Sequence, residues 1–313
     1  MKYALAIDLG GTQLRAALVN KDGKLVRRHA SATPATAGAE AVVAAIAAAA
    51  RKVAAGISRA EIIGAGVSSP GPIDTESGTA LSVPTIAGFE NFPLRGALED
   101  ALGQNVWLEN DGITAAIGEW KRGAGQGLRS LVYVTVSTGI GGGVIADGRV
   151  LHGRKGLAGH VGHLCIDHRG LRCACGNTGC WEAYAAGPAF AARARLAAET
   201  APRSSLHADA ETLQPADVFA AAESGDELAI TLVEEEARLL GVGITTLTHL
   251  FSPERVIIGG GLSQAFDQLQ PGISAYVKAN AMPAFRDVEI VRAGLGGDSG
   301  LIGAAELVFA AAG

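Results

Sequence analysis

Aromatic residues are scarce in this chain, 5% of 313 residues, and cysteines number only four. No long basic run is present and the formal charge is −5. An acidic balance without a basic patch weighs against nucleic acid as a partner. The longest apolar run, residues 41–50, is too short to span a bilayer, so no membrane partner is expected. The opening MKYALAIDLGG has one Lys, a short apolar run and an early Asp, the pattern of a strand rather than of a signal peptide. Four cysteines without a secretory signal also disfavour a disulfide framework. The chain reads as soluble and cytoplasmic.

What it has in quantity is small residues. Hydrophobic content is 48%, much of it Ala, and there are 43 Gly. That composition suits tight turns and close approach of backbone to a ligand. The length allows two domains of ordinary size.

All four cysteines lie in residues 159–182, GHVGHLCIDHRGLRCACGNTGCWE. Cys173, Cys175 and Cys180, with His163 upstream, form a donor set that suits a structural tetrahedral zinc ion. A free-thiol loop is the alternative. Gly176 and Gly179 would let the backbone wrap the ion. Fixing these ligands also fixes His160 and Glu182, which makes a rigid shelf for a polar ligand.

Elsewhere, strands alternate with glycine turns and Ala-rich helices. Residues 3–9 and 14–19 read as strands joined by Gly10-Gly11-Thr12, and 24–29 as a third strand. This is strand–turn–strand, unlike a P-loop or a dinucleotide fingerprint. Such a turn can cradle phosphate on backbone N–H groups and the Thr hydroxyl, with Asp8 near a hydrated Mg²⁺; an ordinary hairpin is the alternative. The arrangement recurs as a strand at 130–137, a turn Thr138-Gly139-Ile140-Gly141-Gly142-Gly143, and a strand at 144–146. Two such turns suggest a duplicated α/β fold gripping a polyphosphate from both sides. Residues 68–74, SSPGPID, leave the end of a strand. Asp111 stands where a strand meets a helix, as its N-cap or as a general base. Gly259-Gly260-Gly261 follows another buried strand. Further helices are expected at 38–55, 113–121, 183–200, 215–223, 226–251 and 300–312.

Taken together, AIDLGGTQLRAALV, SSPGPID, ENDGITAAIGE, VTVSTGIGGGVI, GLAGHVGHLCID with CACGNTGCWEAYAAG, and VIIGGGLS resemble the ROK family of repressors and sugar kinases, in that family's order and over nearly the whole chain. The resemblance implies an actin-like, ribonuclease-H-like ATPase fold of two related α/β domains with a cleft between them. It implies a small domain of residues 1–117 joined by the closing helix 300–313, and a large domain of 118–299 with the zinc loop. Asp8, Gly10, Gly11 and Thr12 would form one phosphate turn, Thr138, Gly139 and Gly141 the other, and Gly259, Gly260 and Gly261 would approach adenosine. Gly71, Asn110, His160, His163 and Glu182 would lie at the sugar, and Asp111 would take the proton of its 6-hydroxyl. ATP, Mg²⁺ and structural zinc are implied, as is a homodimer.

Departures from the family pattern concern the sugar. His160 replaces the Glu of a common GExGH motif, giving GHVGH. With VTVSTGIGGGV before it, this form is similar to the N-acetylmannosamine kinase branch. Thr85 stands where many glucokinases carry Asn, and Gln13 where Lys is common. The expectation is therefore an N-acetylmannosamine 6-kinase, with a glucokinase or N-acetylglucosamine kinase as the alternative. A repressor of the family would carry a helix-turn-helix before the first turn, and here that turn's segment starts at residue 6.

Overall fold

The computed structural model describes residues 2–312. The first half runs β1 (Tyr3–Leu9), β2 (Gln13–Asn20), β3 (Leu25–Ala32), α1 (Ala39–Ala54), β4 (Ile62–Ser69), β5 (Ile73–Asp74), β6 (Thr79–Ser82), β7 (Glu90–Phe92), α2 (Leu94–Leu102) and β8 (Val106–Asn110). Helix α3 (Asp111–Arg122) then leads to β9 (Leu131–Val136), β10 (Ile140–Ala146) and β11 (Arg149–Val150). The remainder runs α4 (Glu182–Ala185), α5 (Gly187–Glu199), α6 (Pro215–Glu223), α7 (Glu227–Phe251), β12 (Arg255–Gly259), α8 (Phe266–Asn280), β13 (Glu289–Arg292) and α9 (Ser299–Ala312).

The two main sheets have one topology. The first is ordered β3-β2-β1-β4-β8 and the second β11-β10-β9-β12-β13. In each, three antiparallel strands are followed by two parallel ones. The β1–β2 turn and the β9–β10 turn thus occupy equivalent positions, which bears out the duplication read from the glycine turns. A small sheet, β5-β6-β7, was not expected from the sequence; its strands are two to four residues long, too short for a visible alternation.

Strand alternation decides the packing. Leu5, Ile7 and Leu9 of β1 face α1 and α2, packing with Val42, Ile46 and Leu98. Ala4 and Ala6, pointing the other way, lie under Leu301, Ala305 and Val308 of α9. Small side chains on that face let α9 come close. A Cβ on Gly66 would lie 1.8 Å from the Ala304 carbonyl oxygen. In the second half, Val132, Val134 and Val136 of β9 pack with Trp181, Phe190 and α7, while Leu131 and Tyr133 turn toward Ala115 and Ala116 of α3. Helices α3 and α9 also press on each other, a Cβ on Gly118 coming within 2.3 Å of the Ser299 carbonyl oxygen. These two helices join the halves, and the expected division between residues 117 and 118 falls inside α3.

Several boundaries differ from the sequence reading. Strand β10 begins at Ile140, so Gly141, Gly142 and Gly143 pair with β9 and the second turn shrinks to residues 137–139. Ala186 breaks the expected helix after Cys180 into α4 and α5. Along α7, Ile230 and Leu250 are 39% and 61% exposed, outside the buried stripe of the helix. No helix among the described residues is long and apolar enough to cross a membrane.

Candidate active site

The first turn is held by its own backbone: Gly10 N–H donates to Gln13 O at 2.9 Å, and the Thr33 hydroxyl donates to Gly10 O at 2.7 Å. Asp8 is buried at the end of β1. Its Oδ2 is ion-paired with Arg15, the residue opposite it in the β1–β2 register, and Arg15 also donates to the Gly297 carbonyl ahead of α9. Gly11 lies against Thr85; a Cβ there would be 3.0 Å from the Thr85 Cβ.

Asp111 opens α3, but it is not the cap. Asn110 is the N-cap, its side chain accepting from Gly112 N at 3.0 Å, while the Thr114 hydroxyl donates to Asn110 O at 2.7 Å. Asp111 Oδ1 also accepts from Gly112 N, at 2.8 Å. The N-terminal end of α3 rests directly on β10: a Cβ on Gly112 would fall 2.6 Å from Gly142 O. That contact seats the start of α3 against β10. Desolvation by the surrounding protein raises its carboxyl to about 6; the Gly112 N–H opposes the shift and the charge of Asp8 adds to it. Residue 111 is still open to cleft water, so the shift is fullest when a ligand displaces that water.

The residues expected at the sugar form a continuous group. A Cβ on Gly71 would lie 2.7 Å from Asn110 Nδ2 and 3.4 Å from His160 Cε1. The His160 and His163 rings are 6.3 Å apart. Burial, then the neighbouring His163, lowers the pKa of His160, against the pull of Glu182. Its imidazole is therefore neutral at physiological pH.

His163, Cys173, Cys175 and Cys180 bring four ligand atoms within 4.8 Å of one another. Cys175 Sγ is 3.6 Å from Cys180 Sγ, and Cys173 Sγ is 3.9 Å from His163 Nδ1. Ligands at zinc bond lengths in a tetrahedron stand about 3.5–3.8 Å apart, so the set fits that ion. Gly176 and Gly179 adopt φ of 93° and 82°, as a wrapped loop requires. Burial and the neighbouring thiols push Cys180 up to about 12, and burial also raises Cys173; the Asn177 N–H lowers Cys175. A bound divalent cation would override these shifts and hold thiolates.

Glu182 connects this loop to the second turn. Its Oε2 accepts from Ile140 N at 2.9 Å, and Oε1 lies 3.9 Å from Cys173 Sγ. Behind it Trp181 is fully buried and donates to Leu239 O at 2.9 Å. Beyond Thr138 opens a cavity of about 620 Å³, lined among others by Ser137, Pro188, Arg195, Phe219, Gly261 and Leu262. Gly260, at φ 84°, turns tightly against β9, where a Cβ would be 2.4 Å from Val136 O.

The structure thus brings together Gly71, Asn110, Asp111, His160, His163 and Glu182, with Thr138 and Gly139 beside Glu182 and the Gly259–Gly261 turn beyond. Arg15 and the side chains of the cavity were missed from sequence. Arg15 could have been found, because a four-residue turn between residues 9 and 14 sets 8 opposite 15. The lining of the cavity comes from α5, α6 and the segment after β12, whose meeting no local pattern signals.

Residues 4–311 match the ROK family. The chain belongs to that family. A glucokinase of Halalkalibacterium halodurans is 35% identical over 98% of this chain and 95% of its own length. An N-acetylmannosamine kinase of Escherichia coli is 36% identical over 97% of each. A ROK family glucokinase from Streptomyces griseus, in complex with glucose and AMPPNP, superposes with a TM-score of 0.85 at 33% identity, covering 97% of this chain and 98% of the other. The two halves described above form the actin-like ATPase fold of the ROK family.

Proposed function

We propose that this chain is an ATP-dependent kinase for the 6-hydroxyl of a hexose or N-acetylhexosamine, with N-acetylmannosamine put first. The observation that carries the phosphoryl-transfer reading is Asp111: a carboxyl raised to about 6, at the start of α3, next to Asn110 and within reach of the charge of Asp8 at the first turn. A base with that pKa is ionised at neutral pH yet basic enough to accept a hydroxyl proton. The relatives named above, with glucose and an ATP analogue bound in one, support the substrate classes.

Phosphoryl transfer asks the protein mainly for positioning and charge neutralisation. The turns at Gly10–Thr12 and Thr138–Gly139 would hold phosphates through backbone N–H and Thr hydroxyls, and the 620 Å³ cavity beside Gly261 would take adenosine. Asn110, His160, His163 and Glu182 would orient the sugar. Its 6-oxygen attacks the γ-phosphorus as the bond to the ADP oxygen breaks, and Asp111 takes the hydroxyl proton. Mg²⁺, when bound, neutralises developing phosphate charge; Asp8 would hold it through water on Oδ1, since Oδ2 is paired with Arg15. Zinc would be structural, because three Cys and His163 close its shell. The division into domains at residues 117 and 118, and a homodimer, belong to the same reading.

The sugar preference rests on His160. A neutral imidazole beside Gly71 and Asn110 can donate to an acetamido carbonyl, which a carboxylate cannot. The second reading, a glucokinase, is favoured by the comparisons, in which glucokinases match this chain slightly more strongly than N-acetylmannosamine kinases do. An ADP-release assay with Mg-ATP against N-acetylmannosamine, N-acetylglucosamine, glucose, mannose and fructose tests both, with Asp111→Asn as control. Turnover of N-acetylmannosamine above the others supports the first choice. Preference for glucose would replace it with the second, and no turnover of any sugar would overturn the kinase reading.

A further inference from the structure

The segment between β11 and the metal loop crosses from the second half of the chain to the first. His152 Nε2 lies 3.1 Å from Glu109 Oε2, and Lys155 Nζ lies 2.9 Å from Asp74 Oδ2. Both carboxylates are buried, whereas both cations are about half exposed. Backbone contacts reinforce the crossing: Thr75 N–H donates to Lys155 O at 2.9 Å, and a Cβ on Gly156 would come 2.1 Å from Thr75 Oγ1.

The positions of the two carboxylates matter. Glu109 immediately precedes Asn110 and Asp111, and its Oε1 accepts from Asn110 N at 2.8 Å. Asp74 ends the loop that contains Gly71. The crossing segment itself continues to His160, whose ring stands over Gly71. Three separate pieces of the sugar group therefore meet at two ion pairs.

We infer that His152 and Lys155 are positioning residues for the sugar: they fasten the segment carrying His160 to the strand ends carrying Gly71 and Asn110–Asp111. The identity of the ligand rests on the kinase reading above; the fastening rests on geometry alone. Unfastened, the segment must be ordered each time sugar binds, which subtracts from affinity. The nucleotide cavity lies beyond the second turn, between α5, α6 and Gly261, and none of its lining residues belongs to the crossing segment. Sugar affinity should depend on the two pairs and nucleotide affinity should not.

The pairs also differ in pH response. The hydrogen bond and charge of Glu109 raise the pKa of His152, against its partial burial. Glu109 faces it from β8; Arg154 and Lys155 follow it on its own segment, Lys155 being paired with Asp74, whose carboxyl Lys155 and then the Ser77 N–H hold at about 2. A raised histidine pKa means that the charged pair is fully present below the ordinary histidine range and is lost as pH climbs through the raised value.

The test compares the wild type with His152→Gln, Lys155→Met and the double variant, reading KM for the sugar and for ATP separately. The amide introduced by His152→Gln keeps a hydrogen-bond donor without the charge. At about pH 6 each single variant should raise sugar KM roughly fivefold, with ATP KM unchanged. Toward about pH 9 wild-type and Lys155→Met sugar KM should rise, while His152→Gln should be flat. Sugar and ATP KM rising together, or neither rising, would overturn the assignment. Hydrogen exchange at residues 73–75 and 109–112 should be faster in both variants, and unchanged exchange would also overturn it. A failed kinase reading shows separately, as a wild type that turns over no sugar, and the exchange arm then decides the fastening by itself.

Discussion

Glu182 Oε2 accepts the Ile140 N–H at 2.9 Å, while the other oxygen of the same carboxylate lies 3.9 Å from Cys173 Sγ. One side chain thus spans the metal loop and the second turn. Loss of the ion should disturb both substrates, not only the sugar. Chelation, or Cys180→Ser, should lower kcat/KM about 10- to 100-fold and raise KM for sugar and for ATP together. Zinc content measured against activity during chelator titration checks this. Zinc-free protein with an unchanged ATP KM would remove Glu182 as the link.

Asp111 ties rate and stability to pH in opposite senses. Its folded pKa, about 6, lies above the ordinary aspartate value, so the folded state binds the extra proton between the two. The stability contribution from this group therefore falls as pH rises from about 4 to about 6 and stays low above that. Activity runs the other way, because only the ionised carboxylate accepts the hydroxyl proton, and kcat should rise through about pH 6. Asp111→Asn should lose about 10²- to 10⁴-fold in kcat and should melt higher than the wild type at neutral pH, though not in acid. Thermal melts of both proteins across pH, beside a kcat profile, read the two effects independently. A lower melting temperature for the variant at neutral pH would mean that the carboxylate stabilises the fold instead.

Glu119, fully buried at the junction of α3 and α9, accepts four hydrogen bonds. Ala124 N and Gly294 N donate to Oε2, each at 2.9 Å; Leu295 N and the Ser299 hydroxyl donate to Oε1 at 2.9 and 2.7 Å. Glu119→Ala should destabilise by about 3 kcal/mol, since it strands buried donors. Glu119→Gln should cost less: its amide nitrogen can donate to the Ser299 hydroxyl, which can rotate to accept, so that of the four donors only the Leu295 N–H loses its acceptor. Urea unfolding gives both values, and equal losses would argue against a role for the individual acceptors.

The contrast between Asp8 and Glu119 explains what was legible. Strand alternation, glycine turns and the Cys/His spacing are local, and from them the two halves, both glycine turns and the Cys/His cluster could be read. Even the Asp8–Arg15 pair follows from hairpin register. Glu119 takes its donors from residues up to 180 positions away, and the cavity beyond Thr138 takes its lining from three distant elements, so no local signal exists. At α3 the sequence left Asp111 open as cap or base; either Asn110 or Asp111 could cap on sequence preference, and the end of β8 at Asn110 gives the cap to Asn110. The glycines of β10 misled for another reason. They serve close approach by α3, as at Gly143, where a Cβ would fall 2.6 Å from the Ala116 Cβ, rather than a longer turn.

His160 gives the sharpest test of sugar choice. Its ring stands over Gly71 and near His163, and burial keeps it neutral. A neutral imidazole can donate from one nitrogen and accept at the other, so an acetamido carbonyl and a hydroxyl are both acceptable partners. A carboxylate at 160 only accepts; facing an acetamido carbonyl it would set two acceptors against each other and leave a charge poorly paired. His160→Glu should therefore move the ratio of kcat/KM for N-acetylmannosamine over glucose toward glucose by about tenfold or more, mainly through KM for the acetamido sugar. His160→Gln, which keeps a donor, should move it less. An unchanged ratio in both variants would place the acetamido group elsewhere in the cleft, and selection at C2 would then have to come from Thr85 or the loop around Gly71.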